Sequence, residues 1–302
     1  MPAPRHIHHG EPLSRHALAW RAAFGNAPAL LWLLLFFVGP LLLIVGVSFL
    51  TRGEYGTIER PWTFENYRRL VGFGLLGYDS LYPAILARSL ALGFATAALT
   101  LLFALPLAFF IARLPARWKT PALTLVVIPF WTNLLIRTYA WQILLAPESW
   151  LSRAAAAVGF IDAESGLYPG TIAVYLGMVC DYLPFMTLPF YASVEKLDWT
   201  LAEAAMDLGA HRWNVFRHAV LPQIQPGLVA GFVLVFLPAT GQFVIPDLLG
   251  GAKTVLIGNV IQQQFGSAGD WPFGAAIAVV SLLVVMLGLW FAGRKGREVE
   301  LL

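Results

Sequence analysis

Apolar residues gather into six long runs, at 27–50, 84–112, 121–145, 170–192, 227–249 and 272–292, separated by segments where charged residues concentrate. Each run reaches the roughly 20 residues a helix needs to cross the hydrocarbon core of a bilayer. The pattern predicts an all-α integral membrane protein with six transmembrane helices. Residues 1–26 then form an N-terminal tail, 27–293 a single six-span domain and 294–302 a C-terminal tail. The stretch before the first run is too long and polar for the start of a signal peptide, and no small-residue cleavage site follows. The first span is therefore read as uncleaved. Prolines interrupt the fourth run (Pro184, Pro189) and the fifth (Pro238, Pro246). At membrane depth proline is tolerated where the freed carbonyl meets a neighbouring helix or lines a cavity, so these two segments are expected to line a pathway.

Composition agrees with the pattern. The 302-residue chain is 58% hydrophobic and only 12% charged, with a mean hydropathy of +0.70, about half the charge of an ordinary soluble domain. A water-soluble fold this apolar would expose large sticky patches, and disorder needs more polarity. A formal net charge of +3 gives no nucleic-acid reading. The single cysteine, Cys180, has no partner for an internal disulfide and reads as structural. His6, His8 and His9 read as part of a solvated basic arm or, less simply, a metal-binding tail.

Lys and Arg set the orientation. With the N-terminus inside, twelve fall in inner segments, and six (Arg52, Arg60, Arg68, Arg69, Arg153 and Lys253) fall in outer loops. Positive charge favours the cytoplasmic side, so both termini are expected in the cytoplasm of a bacterial inner membrane. No repeat of 20–50 residues is visible.

The polar segment 193–226, between spans four and five, carries the most pattern. Leu201, Ala204, Ala205 and Leu208 recur at helical spacing, and Thr200 and Glu203 have the spacing of a capping box. Gly209 sits where a left-handed glycine would end that helix. A second helix places Trp213, Phe216 and Val220 on one face and closes at Leu221-Pro222. Two short helices joined at a glycine elbow result, which either pack beneath their own bundle or dock on a partner.

Glu203-Ala204-Ala205, three residues, Gly209, then nine residues before Ala219-Val220-Leu221-Pro222 resembles the EAA loop of permease subunits in binding-protein-dependent ABC importers. The loop also precedes the penultimate span, as in that family. The resemblance implies the type I importer permease fold and a loop that docks into a cleft of a cytoplasmic ATPase. Glu203, Ala204, Ala205, Asp207, Gly209, Leu221 and Pro222 are the residues it assigns to coupling. For Glu203, docking and helix capping both stand.

The similarity extends from about residue 120 to 275. Pro129-Phe-Trp-Thr-Asn133 with Arg137-Thr-Tyr-Ala-Trp141, Leu183-Pro-Phe-Met-Thr-Leu-Pro189, Pro238-Ala-Thr-Gly-Gln with Pro246-Asp247-Leu-Leu-Gly-Gly251, and Asp270-Trp-Pro-Phe-Gly274 resemble the spermidine/putrescine branch, most closely its first permease subunit. That resemblance implies a small cationic substrate, a second permease subunit, two copies of an ATPase and a soluble substrate-binding protein. A polyamine pathway calls for a few carboxylates and aromatic faces, each cation–π contact contributing about 0.5–2 kcal/mol. Intramembrane acids are rare because each costs roughly 2.5–3.5 kcal/mol at a helix centre. The candidates are Asp247, Asp181 and Asp270, with Trp131, Tyr139, Tyr182 and Trp271. Asp247 is read as a substrate group, an interfacial acid or a partner of Arg137. Asp181 departs from the branch and is either substrate-facing or structurally paired. Trp131 and Tyr139 also fit an interfacial belt. Gly227 and Gly231 fit close helix packing.

No nucleotide site is expected: Gly250-Gly-Ala-Lys253-Thr254 lacks the phosphate-loop glycines. Neither a cofactor, a metal cluster nor a catalytic set is expected, so the chain reads as a non-enzymatic subunit. A permease for another solute (an opine, an amino-acid derivative, iron or an anion) and a proton-coupled secondary carrier are the competing readings.

Overall fold

The computed structural model describes residues 27–53, 57–74, 77–159, 161, 166–251 and 255–299, the last nine by their backbone alone. The N-terminal tail with His6, His8 and His9, together with Lys253 and Thr254, lies outside these residues. Among the described residues twelve helices run in order: α1 Ala27–Ser48, α2 Glu65–Val71, α3 Leu81–Arg113, α4 Ala116–Val127, α5 Leu134–Leu145, α6 Trp150–Ala157, α7 Thr171–Glu195, α8 Trp199–Asp207, α9 Arg212–Gly241, α10 Val244–Leu249, α11 Ile257–Phe265 and α12 Trp271–Val299. Two small antiparallel hairpins, Thr51–Arg52 with Ile58–Glu59 and Phe73–Gly74 with Gly77–Tyr78, flank α2.

Among the described residues five helices (α1, α3, α7, α9 and α12) are long and apolar enough to span, and α4 with α5 makes a sixth segment only as a bent pair. The heart is α3, α7 and α9, which pack against one another; α12 packs on α1 and α11. Small residues allow that approach. On α3 the buried positions include Gly93, Ala97, Thr100, Ala104 and Ala108. On α9, a Cβ at Gly227 would stand 2.6 Å from the Pro189 carbonyl, and one at Gly231 would stand 2.8 Å from Met186 Sδ. Van der Waals contact drives association where lipid is as apolar as protein. Three of the buried hydroxyls return to their own helix: Thr100, Thr187 and Thr240 donate to carbonyls four residues back at 2.7–2.8 Å. Among the described residues no buried side-chain polar atom lacks a partner, as a water-free environment demands.

Three expectations are corrected. The third run is not one straight helix: α4 and α5 meet at 93°, so it counts as a span only as a bent pair. Pro129 has no N–H for the helical ladder, the chain tightens to a 3₁₀ turn over Ile128–Trp131, and Thr132 and Asn133 are extended (ψ 152° and 135°). The Asn133 side chain then accepts from Leu135 N–H at 2.8 Å and starts α5. The fifth run also ends early, at Gly241, and 244–249 is the separate helix α10. Finally, the helix after Gly209 does not close at Leu221-Pro222. It continues from Arg212 through a π-helical turn, Phe216–Val220, into the membrane as one 30-residue rod. Proline there needs no terminus, because it stands in the first turn after that wider turn. By contrast α7 runs unbroken through Pro184 and Pro189.

Candidate functional site

Two places combine unusual chemistry with defined geometry: the hairpin between α7 and α9, and the elbow between α4 and α5. The hairpin begins at Asp198, whose carboxylate accepts from Thr200 N–H at 3.0 Å and Thr200 Oγ1 at 2.7 Å. These bonds hold the Asp198 carboxyl below its ordinary range. Asp198 is thus the cap of α8, and the expected Thr200–Glu203 capping box is not formed; Glu203 and Asp207 are exposed. Gln223 of α9 anchors this start, accepting from Asp198 N–H at 2.9 Å. At the far end Gly209 has φ +82°. Its N–H bonds the Met206 carbonyl and the Ala210 N–H bonds the Ala205 carbonyl, at 2.9 and 3.1 Å. Both bonds belong to a Schellman ending, which asks for glycine at this residue.

The hairpin has two faces. Ala202, Ala205, Ala210, Val215 and Val220 pack inward against Ala108, Ile111, Phe190 and Ile224. Leu201 (53% exposed), Leu208 (89%) and Trp213 (63%) face out. Of the expected stripe 201/204/205/208, only Ala205 turns toward the bundle, because the inward face of α8 runs through Ala202 and Ala205 and so rotates Leu201, Ala204 and Leu208 outward. Leu221 and Pro222 lie farther along α9, within the rod.

At the elbow, Arg137 of α5 reaches both neighbours. One guanidinium nitrogen donates to the Pro129 carbonyl at 2.6 Å, spanning the bend. The other bonds and ion-pairs with Asp181 Oδ1 on α7. The partner of Arg137 is therefore Asp181, not Asp247. Phe130 lies edge-on to Phe185 at 4.9 Å. Trp131 (75% exposed) and Tyr139 (51%) stand on the outer surface of the same elbow.

The remaining acids differ. Asp270 is buried, paired with Arg69 at 2.9 Å, and its other oxygen accepts from Phe273 N–H at 3.2 Å. The Arg69 guanidinium also covers the Phe273 ring at 3.9 Å. Both oxygens thus serve to fix α2 to the start of α12. Trp271 is half exposed and packs edge-on with Phe265. Asp247 is exposed in the first turn of α10. Tyr182 is buried, its hydroxyl 3.4 Å from Gln242 Nε2, while Gln242 Oε1 accepts from Phe243 and Val244 N–H and starts α10. A cavity of about 310 Å³ between α3, α7 and α10 is lined by Arg88, Leu92, Thr171, Tyr175 and Pro246. Sequence reading missed Arg69 and Gln242, whose partners lie 201 and 60 residues away.

Among known proteins, the family model for the binding-protein-dependent transport system inner membrane component matches residues 22–297. The spermidine/putrescine transport system permease protein PotB of Escherichia coli (strain K12) is 42% identical over 274 residues, covering 89% of this chain and 97% of the relative. PotB of Haemophilus influenzae is 39% identical, covering 89% and 93%. In fold, a chain from the crystal structure of a bacterial ABC transporter involved in the import of the acidic polysaccharide alginate superposes with a TM-score of 0.64 at 17% identity, covering 93% of this chain and 99% of that one. Six apolar segments, one bent, with the permease fold and a match across nearly the whole length leave one assignment: the chain is a multi-pass inner-membrane permease subunit of the binding-protein-dependent transport systems.

Proposed function

We propose that this permease conducts polyamines, putrescine or spermidine, and does so as one half of a pathway completed by a second permease. The observation that carries the reading is 42% identity to a spermidine/putrescine permease across 97% of that relative's length. Two ATPase copies drive the pair from the cytoplasmic side and a soluble binding protein delivers substrate from outside. The hairpin supplies the docking face: Glu203, Ala204, Asp207 and Gly209 lie at its surface, Ala205 seats it against the bundle, and Leu221 and Pro222 begin the stretch of rod that carries its displacement into the membrane. A short helix with exposed apolar side chains suits insertion into a groove. Both termini are cytoplasmic on this reading, in keeping with the excess of Lys and Arg in the inner segments.

Asp181, Asp247, Trp131, Tyr139 and Tyr182 belong to the substrate side, with Trp271 at its rim. Asp270 is assigned to holding the outer end together, since Arg69 and the start of α12 already occupy it. Alternating access follows when ATP binding favours the outward-open state and hydrolysis the inward-open one. Uptake of labelled putrescine and spermidine by proteoliposomes holding the assembled transporter tests the proposal, with an opine, ferric iron and sulfate as competitors. Polyamine uptake that requires ATP and is untouched by the competitors is expected; ATP-driven uptake of a competitor without polyamine uptake refutes the substrate assignment.

A further inference from the structure

The elbow leaves one acceptor unused. Asp181 takes the Arg137 guanidinium on Oδ1, and among the described residues no donor reaches Oδ2. Oδ2 is therefore not fully enclosed, since no fully enclosed side-chain oxygen there lacks a partner. The pair is otherwise secluded, with side chains 14% and 8% exposed. Phe185, one helical turn beyond Asp181, meets Phe130 at 4.9 Å and Tyr182 at 6.3 Å. A carboxylate in an apolar wall, on the same helix as the Tyr182 and Phe185 rings, is an environment suited to an alkylammonium group.

Resting on the polyamine reading above, we infer that Asp181 Oδ2 is a transit site for one ammonium group of the substrate. Arg137 is its positioning residue, holding the carboxylate through Oδ1 and keeping the stop brief. A lone carboxylate in a low-dielectric wall would attract a cation strongly, and a pathway must bind its cargo weakly enough to let it leave. Sharing the carboxylate with a guanidinium cancels most of that attraction. Arg137 cannot follow the departing substrate, because its second bond, to the Pro129 carbonyl, ties it across the 93° bend. The same bond places the Phe130 ring 6.0 Å from the guanidinium, so charge and ring are positioned together.

The test uses the complete transporter, with its second permease, ATPase and binding protein, and reads maximal polyamine uptake and the rate at which purified transporter releases labelled spermidine. In Arg137→Gln, release slows and maximal uptake falls, each about tenfold, the worth of one charge-assisted contact. Arg137→Lys keeps a cation in place and is expected to hold release within about threefold of the parent. Asp181→Asn loses retained spermidine. The double variant Arg137→Gln/Asp181→Asn removes both charges together, so it is expected to reach the parental yield in the membrane while retention and uptake stay low. Recovery of uptake in the double variant, or parental release in Arg137→Gln, would show the pair to be structural only and overturn the inference. Absence of polyamine uptake by the parent transporter is a different result: it defeats the substrate reading, and this inference falls with it.

Discussion

The hairpin and the elbow are opposite violations of the same rule. The hairpin carries Leu201, Leu208 and Trp213 on its outer surface in a polar segment between two spans. The elbow holds Arg137 and Asp181 nearly buried between two apolar helices. Apolar side chains exposed together mark a surface for another protein, whereas charges inside a membrane domain mark a route for something polar. Each region is also rigid: the Schellman bonds at Gly209 and the Gln223 anchor hold one, the Asn133 cap and the Pro129–Arg137–Asp181 chain hold the other. On the function proposed above, the difference assigns the motor to the hairpin and the solute to the elbow.

The largest effect that separates the two regions is expected from Gly209→Asp. A Cβ at this position meets nothing within 4 Å, so the subunit should still insert, with a left-handed backbone costing about 1–2 kcal/mol. A carboxylate forced into a docking interface without a partner costs several kcal/mol. ATP-driven uptake should fall more than about tenfold with parental protein in the membrane; unchanged uptake would remove the docking face. Trp213→Ala probes the same face more gently. Its ring is 63% exposed, so the thermal midpoint of the subunit should hold, while ATPase association weakens by about 2 kcal/mol, roughly thirtyfold. Equal stability and equal ATPase binding in a pull-down titration would place the contact elsewhere. The smallest change is Asn133→Ala, which removes the start of α5 and should destabilise the subunit by about 1 kcal/mol. Thermal unfolding in detergent reads it. ATPase association should not move, and if it did, the two regions would not be mechanically separate as drawn.

The spans were legible because each is a long apolar run, and hydropathy alone reports such runs. Their ends were not. The third run kept its composition through Thr132 and Asn133, so only the geometry of Pro129 and two extended residues revealed a bend. The fifth run absorbed α10 for the same reason. At the hairpin, spacing identified Gly209 as the turn, since a positive φ there is a local demand. Spacing misjudged the packed face, because the choice between Ala202 and Leu201 depends on how close Phe190 and Ile224 stand. It also placed a capping box where Asp198 had the better-positioned oxygen. Among the acids, the pairing of Asp181 became visible only when Arg137, 44 residues away, was seen beside it.

Local chemistry was therefore written plainly in the chain: which stretches prefer lipid, where a glycine must turn, which residues match a family's loop. Those properties depend on solvation and on backbone freedom over a few neighbours. Which charge meets which, which face of the hairpin lies inward and whether a run crosses straight or bends came from packing. They turn on groups far apart in sequence, and a difference of one methyl group between close-packed helices settles them.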